Sequence, residues 1–145
     1  MRGREERCDA PDPVSMSHID WFAPESPVLQ AWKRAMDSML SGDRVLALNC
    51  FTEDALWYDT FVGTLRGSVA IAEHLGGMLG RDFDRSSIAV VGALADVDTG
   101  AVEWRQTIHT GDRSATVEGT TWVTLTDGRL SRLWDYIQPL KNRKP

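Results

Sequence analysis

From Val28 onward the apolar residues Val28, Leu29, Trp32, Met36, Met39 and Leu40 recur at steps of three and four, the spacing of one buried face of an α-helix. Ser26-Pro27 supplies an N-cap followed by proline at the first helical position, and Gly42 stops the pattern. Asp43 is placed to cap a short second helix carrying Val45, Leu46, Leu48 and Phe51. A third helix, opened by Ser68, carries Val69, Ile71, Ala72, Leu75, Met78 and Leu79 on one side, is broken by Gly76-Gly77 and is closed by Gly80. Between the second and third helices, 55–59 alternates as a short strand, and 61–67, with two glycines, reads as a loop or a second short strand. Beyond Gly80 the period changes from helical to alternating. Strands are predicted over 87–94, 101–110, 114–126 and 129–138, separated by Asp98-Thr99-Gly100, Gly111-Asp112 and Asp127-Gly128. Connections that short make the strands antiparallel neighbours. The pattern predicts an α+β fold in which three N-terminal helices pack on a curved, mainly antiparallel sheet.

The 145 residues suit one domain, and 42% apolar residues with six Trp suffice for a core. Residues 1–17 are polar and charged and read as a disordered tail, 18–140 as the domain, and 141–145 as a basic C-terminal tail. A net charge of −5 offers no basic field for a nucleic-acid backbone, so nucleic acid is not an expected partner. Two cysteines, Cys8 and Cys50, form neither a disulfide framework nor a ligand cluster, which points to a reducing, cytoplasmic setting. No apolar run approaches the roughly 20 residues of a membrane span, so no membrane partner is expected. P-loop, dinucleotide-binding, HExxH, CxxC and nucleophile-elbow signatures are missing, and His18, His74 and His109 are too scattered for metal ligands. Neither metal nor cofactor is expected, which leaves carboxylate, arginine, histidine and aromatic chemistry.

Three constellations carry that chemistry. Asp135 stands in the ribbon GRLSRLWDYIQ with Leu133 and Ile137 on its own side of the strand. If that side faces inward, desolvation raises its pKa toward the range of proton transfer; if outward, it is an exposed or salt-bridged aspartate. Asp59 ends the string ALWYD, on the same side as Trp57, and reads either as a proton-abstracting group beside an aromatic wall or as a cap of the turn starting at Thr60. The strand AVEWRQTIH puts Glu103, Arg105, Thr107 and His109 on one side and Val102, Trp104, Gln106 and Ile108 on the other. Either the polar side meets water, or it lines a cavity where Arg105 pairs with Asp135 while His109 or Glu103 orients a second partner. One residue of register separates the two.

The strings LSGD (40–43), FTEDALWYD (51–59), LRGSVAI (65–71) and TDGRLSRLWDYI (126–137), in this order of elements, resemble the nuclear transport factor 2-like superfamily. That cone-shaped fold is shared by ketosteroid isomerases, SnoaL-like polyketide cyclases and limonene epoxide hydrolases, and the resemblance covers about residues 27–138. It implies a cone-shaped barrel. Asp59 falls where the isomerases resemble it with their general base, while Ala35 and Thr121 occupy the positions of their oxyanion partners. For the cyclases' acidic residue on the penultimate strand only Glu118 is near. Asp135 in LWDY is similar to the epoxide hydrolases' water-activating aspartate, Arg105 to their arginine, and Trp57 and Asp59 to the two residues that hold the water. Their Arg-x-Asp is here Arg105-Gln106-Thr107, so Glu103 or Asp59 would supply the acid.

Taken together these readings imply a cofactor-independent acid/base enzyme on a hydrophobic, polyketide- or terpenoid-like molecule. The expected chemistry is opening of an epoxide by water or an internal hydroxyl, with Asp135, Asp59 and Arg105 catalytic. Trp57, Trp32, Met36, His109, Glu103, Leu133 and Ile137 would bind substrate. Aldol cyclisation or isomerisation is the alternative chemistry, and a non-catalytic ligand-binding domain the alternative class. By resemblance a homodimer is expected through the outer sheet face, with Trp104, Trp122 and Trp134 forming the apolar surface.

Overall fold

The computed structural model describes residues 18–20 and 26–140. The expected tails, 1–17 and 141–145, lie outside the described residues. In chain order the elements are β1 (His18–Asp20), α1 (Pro27–Ser41), α2 (Arg44–Cys50), β2 (Phe51–Asp59), β3 (Gly63–Arg66), α3 (Ser68–Gly76), α4 (Met78–Arg81), β4 (Arg85–Ala95), β5 (Thr99–Thr110), β6 (Arg113–Thr126) and β7 (Arg129–Pro139).

Capping chemistry sets both ends of α1 and the start of α2. The Ser26 hydroxyl accepts the Leu29 N–H, the Asp43 carboxylate accepts the Leu46 N–H, and Gly42 adopts the left-handed conformation at φ 71° that ends α1. Ser68 is not the cap expected of it: Gly67 precedes α3 at φ 87°, and no side chain caps the helix. The expected break at Gly76-Gly77 separates α3 from α4, a short kinked turn whose Leu79 and Gly80 are non-helical. All six apolar residues predicted for the α1 face are buried. The α2 pattern misled, because only Ala47 is buried there and Val45 and Leu48 are exposed. A seven-residue helix needs one contact face, and Ala47 supplies it where α2 lies between α1 and α3.

The strands form one sheet ordered β1-β4-β5-β6-β7-β2-β3. The pairs from β4 through β7 and the pair β2 with β3 are antiparallel, while β1 with β4 and β2 with β7 are parallel. The helices pack on one side of this curved sheet, giving the expected α+β cone. It stays open, since β1 and β3 are edges. At the β6–β7 hairpin Asp127 and Gly128 both have positive φ, 53° and 79°, as a two-residue mirror-image turn requires. Between Thr124 and Leu125 the register of this pair shifts, because Ser131 is an extra residue on β7. This bulge lets both Leu130 and Leu133 face the core, where strict alternation would turn one away.

Candidate active site

Beyond the bulge, β7 directs Leu133, Asp135 and Ile137 toward the helices, whereas Trp134 and Tyr136 face the other side. Asp135 is 5% exposed. Each of its oxygens takes a hydrogen bond: Trp57 Nε1 donates to Oδ2 at 2.8 Å and Thr121 Oγ1 to Oδ1 at 2.6 Å. Trp104 Nε1 in turn donates to Thr121 Oγ1 at 2.8 Å. An indole nitrogen can only donate. The Thr121 oxygen therefore accepts from Trp104, and its single hydrogen is committed to Asp135. Burial pushes the Asp135 pKa from 3.8 up to about 7, against the two hydrogen bonds that favour the anion and with the help of the nearby charge of Asp59.

Asp59 pairs in register with Asp135 across the parallel β2–β7 ladder, so the two carboxylates point to one side from backbones about 4.8 Å apart. Its Oδ1 accepts the N–H groups of Phe61 at 2.7 Å and Val62 at 3.2 Å, which is the turn cap read from the sequence. The turn cap leaves Asp59 buried beside Asp135, with only Oδ1 engaged by the turn. Thr60 ties the same turn to β7, donating to the Asp135 carbonyl at 3.1 Å and accepting the Ile137 N–H at 3.0 Å.

The structure brings together Trp57, Asp59, Leu133, Asp135 and Ile137. It keeps Glu103, Arg105 and His109 away. Val102, Trp104 and Gln106 are the buried side of β5, so its polar residues face outward. The expected pairing of Arg105 with Asp135 is corrected: the Arg105 side chain is 57% exposed and meets Glu118 at 3.7 Å on the outer face. Glu103 lines an outer groove of about 420 Å³ with Glu118, Thr120 and Tyr136. His109 lies seven residues, about 23 Å, along β5 from Val102, the residue opposite Thr121. Trp32 and Met36 belong to the hydrophobic core under α1.

Two contributors escaped the sequence reading. Thr121, which the sequence placed only at the position of an oxyanion partner by resemblance, is the oriented link between Trp104 and Asp135. His74, set aside for poor metal spacing, lies on α3 with its ring 5.0 Å from that of Trp57, tilted by 56°. Its position one residue before the buried Leu75 placed it at the margin of the helix face. Burial and then the Arg81 charge push its pKa below 6.5, opposed by Asp59 and Asp82, so the ring is neutral at pH 7. Among the described residues no three His, Cys, Asp or Glu side chains gather as metal ligands. No described helix is long and apolar enough to cross a membrane.

Similar folds are found among solved structures. An LEH-like epoxide hydrolase of M. tuberculosis superposes with a TM-score of 0.66 at 18% identity, over 79% of this chain and 86% of that one. TerC co-crystallized with polyporic acid gives 0.64 at 17% identity, over 78% and 92%. A putative SnoaL-like polyketide cyclase from Jannaschia sp. CCS1 gives 0.64 at 17% identity, over 82% and 91%. No curated protein matches the chain. At such identities the superpositions establish the fold, and the sequence itself matches the SnoaL-like domain over residues 32–133, most of the cone. The chain belongs to the SnoaL-like domain family.

Proposed function

We propose that the chain is a cofactor-independent acid/base enzyme that opens an epoxide on a hydrophobic small molecule, using Asp135 and Asp59 as a proton-sharing pair. The observation that carries this reading is the register pairing of two buried carboxylates, one of which keeps its proton to about pH 7. Two adjacent carboxylates rarely ionise together, so one serves as acid while the other serves as base. Asp135, without a cationic neighbour among the described residues and with its pKa raised, holds the proton and gives it to the oxirane oxygen as the C–O bond breaks. Asp59 takes a proton from the attacking water or internal hydroxyl as the new C–O bond forms. One proton enters and one leaves, so the pair is restored by a single transfer between them. This reverses the sequence expectation, in which Asp135 activated the water, and it needs no part from Arg105. Trp57, Leu133 and Ile137 supply the aromatic and aliphatic surroundings of an apolar substrate. The folds of an epoxide hydrolase and of a protein co-crystallized with polyporic acid are consistent with such a ligand.

Isomerisation or aldol cyclisation is the second reading, favoured by the placement of Arg105 outside the cone. With no cation at Asp135 among the described residues, the same pair can take a proton from carbon through Asp59 and donate to a carbonyl oxygen through Asp135. Turnover of a panel of apolar epoxides and enones in ¹⁸O-water separates the two. Epoxide opening by water gives diol carrying label, lost by at least about 100-fold in Asp135→Ala. Its rate falls as pH rises through about 7, because Asp135 must be protonated to act. Unlabelled isomer shifts the chemistry to the second reading. Full activity of both Asp135→Ala and Asp59→Asn ends the acid/base proposal.

We also propose that two copies pair through the outer sheet face. That face carries Trp122, 52% exposed, and Tyr136, 58% exposed, beside Trp134 and Tyr58. Trp104, expected there, is instead 6% exposed and turned into the cone.

A further inference from the structure

His74 carries an inference beyond the carboxylate pair. Arg81 Nη2 lies 3.4 Å from His74 Nδ1 and donates to the His74 carbonyl at 3.2 Å. The guanidinium is itself held by Asp82 through contacts of 2.9 and 3.2 Å. Arginine has donors only. The Arg81 N–H groups facing Nδ1 disfavour a proton there, so the neutral ring carries its single proton on Nε2, the nitrogen turned away from Arg81. That N–H has no hydrogen-bond partner among the described residues, although the ring is half-buried against Trp57, the donor to Asp135. The charges that act on the ring are Arg81, Asp59 and Asp82. An oriented, neutral, unspent donor beside an apolar site is a means of recognising an oxygen atom.

We infer that His74, locked by Arg81 as the Nε2–H tautomer, is a substrate-binding residue that donates a hydrogen bond to an acceptor oxygen of the ligand. The substrate class is thereby narrowed to apolar molecules with a carbonyl or ether oxygen placed toward α3, apart from the oxygen that Asp135 protonates. The inference rests on the reading of the Asp59–Asp135 side of the cone as the substrate site.

Two measurements test it, neither of which needs turnover. Nitrogen-15 NMR of the imidazoles at pH 7.5 is expected to show His74 as the Nε2–H tautomer, with Arg81→Leu restoring a mixture. A predominant Nδ1–H form in the wild type overturns the inference. Binding of 1-indanone and of indane, which lacks the carbonyl, is then compared in wild type and His74→Phe, a change that keeps an aromatic ring against Trp57. The expected result is about fivefold weaker 1-indanone binding in the variant, indane unchanged, and a shifted His74 Nε2–H resonance with 1-indanone alone. Equal loss for both probes, no loss, or no 1-indanone binding to the wild type overturns it. Failure of the acid/base reading remains separate, because it is scored by ¹⁸O incorporation and by Asp135→Ala.

Discussion

At the scale of the residue, burying the Asp135 carboxylate costs stability. The folded chain keeps its proton to about pH 7, whereas an unfolded chain releases it near 3.8. The folded state thus binds more protons between those values, and stability falls as pH rises through that window. Above pH 7 the ionised buried carboxylate costs about 4 kcal/mol relative to a group of ordinary pKa. Asp135→Asn removes that charge. Its amide oxygen can still accept from Trp57, and its NH₂ can donate to the Thr121 oxygen once the hydroxyl turns away. The variant is expected to be more stable than the wild type at pH 8 by a few kcal/mol, with the advantage gone below pH 4; urea unfolding at both pH values checks this. An advantage independent of pH would show that Asp135 is not the group responsible. The sequence exposed Asp135 as an anomaly because an aspartate inside an apolar ribbon is conspicuous. Its supporting donors were hidden. Thr121 and Trp104 are ordinary strand residues until the register is known, and His74 gains its meaning only from Arg81, seven residues away beyond a kink.

Registers decide the site at the scale of the element. The β5–β6 hairpin runs without a shift from Thr110 opposite Arg113 to Thr99 opposite Thr124. Its Gly111-Asp112 turn therefore already placed Trp104 opposite Gly119. The β6–β7 hairpin differs: continued from Asp127-Gly128 without interruption, it would set Asp135 against Thr120, on the outer face. The bulge at Ser131 moves the partner to Thr121 and so creates the hydrogen bond to Asp135. A one-residue insertion of this kind leaves only a faint trace in the sequence, here Leu130 and Leu133 both demanding burial, and the helices and turn signals were far easier to read. Gly119 is part of the same arrangement, since the Trp104 indole lies over it. A Cβ there would fall 2.5 Å from Cζ2 of Trp104 and 2.7 Å from the Tyr136 carbonyl oxygen. Gly119→Ala must displace the indole and break its bond to Thr121. The expected loss is about 1–3 kcal/mol of stability, with a shifted Trp emission spectrum. Unchanged stability and emission would mean that the indole does not rest there in solution.

For the whole molecule, the side of the sheet away from the helices poses the remaining physical problem. Tyr58 stacks on Trp134 at 5.1 Å, and Arg132 covers the Trp134 ring at 4.3 Å. Trp122, in register with Trp134, stays half open to water. An aromatic surface of this kind on a small domain is what the proposed dimer would cover. The same face carries charges of both signs, with Glu103 and Glu118 in the outer groove and Arg105 and Arg132 alongside. A two-fold axis through the aromatic patch sets equivalent surfaces against each other, and a face with both signs can then offer each copy opposite charges. Trp122 is the residue on which this arrangement depends, because it is the most exposed of the strand tryptophans and large aromatics dominate interface energetics. Light scattering coupled to size exclusion is expected to give twice the chain mass for the wild type at micromolar concentration. Trp122→Glu should run as a folded monomer with unchanged helix and strand content, since its side chain points away from the core. A wild type that stays monomeric ends the dimer proposal, and a dimeric Trp122→Glu moves the interface to another surface.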